Sequence, residues 1–477
     1  VGDEQEQVDD RPEREGRPGH PPPCDAQTSL QGITQRERRG RIVSLGGVRN
    51  AAAEEVRDVV HDAGSYPDQE GRRRAAGGPG VTPAAPRLAA FVLGAIALAA
   101  ALRWSVRDYV TGDVAFWVSY WYEHLKDHGL AAFRGELPND DGWAELRGSY
   151  PPTYYYLLWI ASWFDRWAPR LYLIKAVSVT FDVVAAVFAY RIAGLLPQPT
   201  RFRSWASAVL VLLAPTLILN SSFWGQCDAI HVSMLLGAIY FSLSGRPVAT
   251  VACFALALSV KAQAIFLAPY LLVLILRSRL RWSHLLVVPV VYAAVMSPAV
   301  LLGRPVLEIL AIYPNQADFL RGLSLNAANL YYFVDNEHYA TGVLLGSALT
   351  VAVSLLYAVR AGRSPTPDGP RFLLICALTA VALAPFTLPK MHDRYFLAAD
   401  LVSLLVAVAD PRLWYLAIGF QVTSLLAYLP VVTDTVTGFG GEFVALMPVA
   451  VVLNCLLIVE LVRVFWRATS AAGDSTR

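Results

Sequence analysis

Twelve apolar stretches succeed one another between residues 88 and 464, parted by polar or basic breaks, and this run constrains the fold more than any motif does. They lie at 88–102, 171–195, 205–219, 224–243, 248–260, 264–276, 285–302, 341–357, 372–388, 396–408, 414–429 and 444–464. A hydrocarbon core about 30 Å thick takes a helix of roughly 20 apolar residues, and within it every backbone N–H and C=O must be satisfied internally. The expected fold is therefore an all-α polytopic membrane protein of about 12–13 transmembrane helices. The thirteenth is 151–168, whose Tyr154, Tyr155, Tyr156, Trp159, Trp163 and Trp167 suit an interface as well as a span.

With 55% hydrophobic and only 16% charged residues, the composition excludes a soluble globular protein, and no nucleic-acid partner is expected. The net charge of +2 says little about partners, because much of the Asp, Glu and Arg gathers ahead of the first apolar stretch. Residues 1–86 have no hydrophobic period and cannot offset chain entropy by burial, so they are expected to be a disordered cytoplasmic leader. They contain no signal-peptide core. The sequence opens on Val1, so an over-extended start is one reading of this leader, with Val81 as an alternative beginning. Residues 87–466 form the expected membrane domain and 467–477 a cytoplasmic tail. Cys24, Cys227, Cys253, Cys376 and Cys455 lack metal-ligand spacing, and neither a disulfide framework nor a metal site is expected.

Orientation follows from "GRRR" before the first stretch, "PQPTRFRS" at 197–204, "RSRLR" at 277–281, "VRAGRS" at 359–364 and "VRVFWR" at the end of the last. The positive-inside rule places all of these in the cytoplasm. Parity then keeps 151–168 on the outer side as a re-entrant or interfacial helix; if it crosses, one basic loop breaks the rule. Four polar segments thereby converge outside: 104–150, "NSSFWGQCD" at 220–228, 304–339 and "PKMHDRYF" at 389–396. In the first, Asp113 follows the turn-former Gly112, and Phe116, Trp117, Tyr120, Trp121 and Leu125 fall mostly on one helical face with Glu123, Lys126 and Asp127 largely off it. That pattern suits an amphipathic helix lying on the outer surface, or one packed on the bundle.

An ionisable group near the middle of a span costs roughly 2.5–3.5 kcal/mol on insertion scales, so each such residue needs a reason. Lys175 and Asp182 are two turns apart on one face and suit a buried ion pair, or pairing with a neighbouring helix. Gln226, Asp228 and His231 head the fourth stretch, where a helix cap is the plainer role for Asp228. Lys261 and Gln263 lie in "SVKAQA", where the apolar run 247–276 is too long for one span. A break there exposes a helix end suited to an anion; snorkelling of Lys261 is the plainer alternative. Lys390, His392 and Arg394 crowd into "PKMHDRYF", opposite the other basic loops, as a solvated turn or as a clamp for a phosphate or pyrophosphate.

A carboxylate, a cationic clamp and aromatic walls beside the bilayer suit a lipid-linked phosphate. Transfer of a sugar from a polyprenyl-phosphate donor needs one base for the acceptor hydroxyl and cations for the departing phosphate, without a second carboxyl acid.

The ordered motifs "GD" at 112–113, "YPPTYYYLLW" at 150–159, "NSSFWGQCDAI" at 220–230, "SVKAQA" at 259–264, "LSLNAANLYY" at 323–332 and "KMHDRYF" at 390–396 resemble the GT-C superfamily of membrane glycosyltransferases. The chain is most similar to bacterial relatives of the second mannosyltransferase of GPI-anchor assembly and to the dolichyl-phosphate-glucose-dependent glucosyltransferases, over nearly everything from Leu88 onward. The resemblance implies a GT-C-like bundle with an amphipathic helical first outer loop. It also implies inverting transfer of a hexose, mannose or glucose, from a polyprenyl-phosphate donor to a lipid-linked or envelope glycan acceptor. The reaction would take place at the outer face of the plasma membrane, with no cofactor and no metal. It casts Asp113 as general base, places His392 and Arg394, with Lys390 and Lys261, on the donor phosphate, and sets Tyr150, Trp224, Gln226 and Asp228 against substrate. Ser149 stands where some relatives carry an acid, the nearest acids being Asp140, Asp141 and Glu145. No large soluble domain follows the last stretch, so a protein acceptor is not expected. The rival expectation is a secondary transporter or lipid flippase using Asp182, Asp228 and Lys261, against which stand the missing internal repeat and the gathering of polar residues on one side.

Overall fold

All twelve apolar stretches carry helix in the computed structural model, which describes residues 84–134, 150–319, 321–438 and 444–470. The leader up to residue 83, Asp140, Asp141, Glu145, Ser149 and the last seven residues, 471–477, lie outside the described residues. Helix α1 is Ala84–Ser105; a π-helical turn at Val114–Val118 leads into α2, Ser119–His128. Helix α3 is Pro152–Ser162, α4 is Arg170–Ala193 and α5 is Arg201–Leu212. The single turn α6, Pro215–Ile218, runs into a second π-helical turn at Leu219–Phe223. Helices α7, Asp228–Leu243, and α8, Pro247–Leu258, precede a 3-10 segment at Ala262–Leu267 and α9, Ala268–Leu276. The remainder are α10 Val287–Leu301, α11 Val306–Phe319, α12 Tyr339–Gly362, α13 Pro370–Thr387, α14 Leu397–Ala409, α15 Trp414–Thr437 and α16 Met447–Ser470. Proline in the first turn starts α3, α8 and α13, where its missing N–H has no partner to lose.

By length and composition seven of the described helices can cross a membrane, or eight if the pair Arg201–Leu212 and Pro215–Phe223, bent by 46°, is one span. The all-α polytopic fold is as expected, with several of the twelve apolar stretches short: Asp228–Leu243, Pro247–Leu258, Ala262–Leu276 and Leu397–Ala409 are apolar but under 18 residues. At 1.5 Å per residue a 12-residue helix covers only about 18 Å of a core about 30 Å thick. These short helices pack inside the bundle, where α7 and α14 are buried along most of their length. Helix α3, with 11 residues, is about half of what a span takes.

Lys175 and Asp182 do not pair with each other. Asp182 meets Arg103 of α1 at 2.9 Å and accepts from Ser221 Oγ at 2.7 Å, so the link runs between neighbouring helices. Lys175 Nζ donates to the carbonyls of Arg107 at 2.9 Å and Tyr109 at 2.7 Å, satisfying the chain that leaves α1. Arginines of the basic breaks do similar work at helix C-termini: Arg203 donates to Val408 O, Arg277 to Ala361 O at 2.8 Å and Arg279 to Ser242 O at 2.8 Å.

The aromatic face expected along 114–128 is split in two. Val114, Val118, Tyr122 and Leu125 are buried, whereas Phe116 and Tyr120 are 68% and 59% exposed. The π-helical turn closes i to i+5 rather than i to i+4, so the angular step per residue falls and the α-helical phase used to draw that face no longer applies.

Candidate active site

The corner "NSSFWGQCD" begins at the second π-helical turn, where Trp224 N donates to Leu219 O at 2.8 Å. Gly225 follows with φ +74°, and a Cβ there would lie 2.8 Å from Val114 Cγ2, so a side chain is excluded by both conformation and space. Two hydroxyls fasten the corner: Thr111 Oγ1 donates to Trp224 O at 2.9 Å and Ser178 Oγ to Gln226 O at 2.5 Å. The Trp224 ring meets Tyr428 edge-on at 5.5 Å.

Asp113 sits at the N-cap of the first π-helical turn, facing this corner. Its Oδ2 accepts from Trp224 Nε1 at 2.8 Å and from the Gln226 side-chain amide, and Arg394 Nη1 lies 4.0 Å from the same oxygen. Oδ1 accepts no hydrogen bond among the described residues, and the side chain is 37% exposed. The contact between Asp113 and Trp224 thus joins the start of one π-helical turn to the end of the other. Such turns re-aim side chains that regular helix would point elsewhere.

Behind Asp113, Asp228 opens α7 and is buried. It pairs with Lys261, accepts from Asn220 Nδ2 at 2.9 Å and lies 3.5 Å from Arg394 Nε. Lys261 is extended, with φ −151°, in the gap between α8 and the 3-10 segment. It lies 5.6 Å and 5.8 Å from the ring centres of Tyr150 and Tyr395. A lysine at a helix break, snorkelling on sequence grounds, is here turned inward by a carboxylate and two aromatic faces.

The loop 389–396 is shaped by a two-residue parallel ladder between β1, Ser324–Leu325, and β2, Met391–His392. Lys390 N donates to Leu323 O at 2.8 Å and Asp393 N to Leu325 O at 3.1 Å. Lys390 adopts φ +65°, and its ammonium is bonded to the Tyr339 hydroxyl at the α12 side. Arg394 stands among three carboxylates, with Asp393 at 3.5 Å beside Asp113 and Asp228. Burial pushes the Asp393 carboxyl up to about 7, against the opposing pull of Arg394. Burial, reinforced by Arg394 and Lys261, pushes the His392 imidazole down to about 3, so it is neutral near pH 7. His392 therefore adds hydrogen-bonding capacity to the loop but no charge.

One cavity of about 510 Å³ gathers these pieces, and Asp113, Tyr150, Gln226, Lys261, Lys390, His392 and Arg394 all line it. Trp224 and Asp228 stand behind its wall, in contact with Asp113 and Lys261. The rest of the lining includes apolar side chains, Ile265, Ile312, Leu325 and Val343 among them. Asp393 and Asn220 belong to the charged cluster without having been singled out, although Asp393 lies inside "KMHDRYF". Among the described residues no group of three His, Cys, Asp or Glu is placed to hold a metal.

No family model and no curated protein matches the chain. Among solved structures the chain is similar to ArnT from Cupriavidus metallidurans bound to undecaprenyl phosphate, with 15% identity, a TM-score of 0.46, and 80% of this chain and 75% of that chain covered. The apo state of the same protein gives 16% identity, a TM-score of 0.45 and the same coverage.

The cavity's charges are largely matched within the protein. Lys261, Lys390 and Arg394 bring three formal positive charges against two formal negative charges on Asp113 and Asp228, while burial raises the Asp393 carboxyl. A small positive excess remains, suited to a singly charged anion rather than a polyanion.

Proposed function

We propose that the chain is a GT-C-like membrane glycosyltransferase that transfers a hexose with inversion from a polyprenyl-phosphate donor to a lipid-linked or envelope glycan acceptor. The observation that carries this reading is Asp113: a carboxylate whose hydrogen bonds all fall on one oxygen, on a side chain that lines a cavity with Arg394, Lys261 and Lys390. A polyprenyl-phosphate sugar is a phosphodiester with a single negative charge, which fits the small positive excess. The acceptor hydroxyl gives its proton to Asp113 while its oxygen bonds to the anomeric carbon. The bond from that carbon to the phosphate oxygen breaks, and its electron pair leaves on the phosphate. Arg394 and Lys261 stabilise the second charge the phosphate then carries, and His392 supplies a hydrogen bond. The apolar wall at Ile265 and Val343 lies next to Leu344 and Leu345, exposed on α12, giving the polyprenyl tail a route toward the bilayer. The basic breaks support an outward-facing site in the plasma membrane. Mannose is the first hexose to try, because the Ala-, Arg- and Gly-rich composition suits a GC-rich bacterial genome and an envelope acceptor.

The transporter reading loses its path through the bundle: Asp182 is committed to Arg103 and Ser221, and Asp228 to Lys261 and Asn220. Purified protein is to be screened with radiolabelled polyprenyl-phosphate sugars, the products being extracted as lipid. Label passing to an acceptor supports the reading. Ion-gradient-driven uptake into vesicles without sugar transfer overturns it.

A further inference from the structure

Trp224 and Gln226, expected from the sequence to touch substrate, turn their N–H groups onto Asp113 instead. Both reach the same atom, Oδ2, and Arg394 approaches that oxygen too. The donors are themselves fixed. Trp224 is buried with its carbonyl held by Thr111 and its ring against Tyr428, and the carbonyl of Gln226 is held by Ser178 at 2.5 Å. A carboxylate on a mobile loop would sample many rotamers and present either oxygen to a ligand. Two charge-assisted hydrogen bonds to one oxygen remove that freedom before any substrate arrives.

We propose that Trp224 and Gln226 are positioning residues that clamp Asp113 through Oδ2 and so make Oδ1 the atom that takes the acceptor's proton. The inference rests on the glycosyltransferase reading given above. The Trp224 ring lies outside the cavity wall, so Trp224 acts through its neighbours: its N–H through Asp113, and its ring, 5.4 Å from the Arg394 guanidinium, on Arg394, a contact that Trp224→Phe retains. Gln226 lines the cavity, but its amide is already spent on the carboxylate. Gly225 between them is required because only glycine lets both neighbours face the same carboxylate at φ +74° beside Val114.

The test uses purified full-length protein with polyprenyl-phosphate mannose and polyprenyl-phosphate glucose as donors, and undecaprenyl phosphate binding to count folded sites. Trp224→Phe keeps a ring against Tyr428 and loses the N–H; Gln226→Met keeps the length and loses the amide. Per folded site, each is expected to lower kcat about tenfold with the donor KM within about twofold of the parent. Gln226→Glu is expected to fall further than Gln226→Met, because it places a like charge against Asp113, a difference that a purely structural role would not produce. Parental kcat in both Trp224→Phe and Gln226→Met, or a raised donor KM with kcat unchanged, overturns the inference. If Asp113→Asn is inactive while those two are fully active, only the clamp fails. If the parent transfers no hexose from either donor, the glycosyltransferase reading fails and the clamp with it.

Discussion

Two acids in this bundle take their hydrogen bonds on one oxygen and leave the other bare, yet they stand in different surroundings. Asp182 is closed in by Arg103 and Ser221 with no exposure, and its Oδ1 faces protein. Asp113 is held by Trp224 and Gln226, and its side chain opens on a cavity. An unsatisfied oxygen is therefore not by itself a mark of chemistry. Access for a second molecule is what separates the two: Asp113 lines the cavity and Asp182 does not.

Asp113→Asn is the sharpest way to break the comparison. It keeps the shape and is expected to lower kcat by about 10²–10⁴-fold, with the melting temperature close to that of the parent. An active Asp113→Asn would make the open carboxylate as inert as the closed one. Next come the cations that face each acid. Arg103→Met leaves Asp182 buried without its partner, and a loss of about 3–5 kcal/mol is expected in thermal unfolding, with activity per folded molecule unchanged. Lys261→Met costs less in unfolding, because Arg394 and Asn220 remain on Asp228, but it removes a cation from the cavity, so here activity per folded molecule falls. Equal behaviour of the two variants would mean that the cavity cluster is structural. Gly225→Ala is a smaller perturbation, expected to cost about 1–3 kcal/mol through the contact with Val114 and to lower kcat by displacing Trp224.

The smallest effect is one of pH. The raised Asp393 carboxyl contributes stability at low pH that is lost as pH rises toward about 7. The lowered His392 imidazole has the opposite sign, with stability present at higher pH and lost as pH falls toward about 3. The two slopes oppose each other between about pH 4 and 6.5. Asp393→Asn removes the first slope and leaves that of His392, so the variant's melting temperature should climb more steeply with pH across that range than the parent's.

Much of the site was legible because charge in hydrocarbon is costly and therefore rare. Lys261 stood out at the break in a long apolar run, and Lys390, His392 and Arg394 stood out on the side away from the other basic loops. The structure brings those residues to one cavity with Asp113, Tyr150 and Gln226. What escaped was anything depending on helix phase or distant pairing. Arg103 sits at the end of an apolar stretch, where a snorkelling cation is unremarkable, and nothing in its neighbourhood points to Asp182 seventy-nine residues on. The two faces of 114–128 could not be assigned with an α-helical step, since the π-helical turn changes it. The direction of the Trp224 and Gln226 side chains depends on the same kind of turn at Leu219–Phe223. Which short apolar helices pack inside the bundle was hidden for a related reason: apolar content shows that a helix is dry, not whether lipid or protein surrounds it.

A π-helical turn is an α-helix holding one residue too many, and that makes chain length the sensitive variable at this site. Deleting a single residue from 114–118 or 219–223 would let the turn relax to regular helix, keeping the flanks in phase but abolishing the widened ring at whose edges Asp113 and Trp224 stand. The geometry that aims the two at each other would then be lost with both still encoded. Deletions and insertions of one residue, more than substitutions, are thus the edits that would uncouple this carboxylate from its cavity.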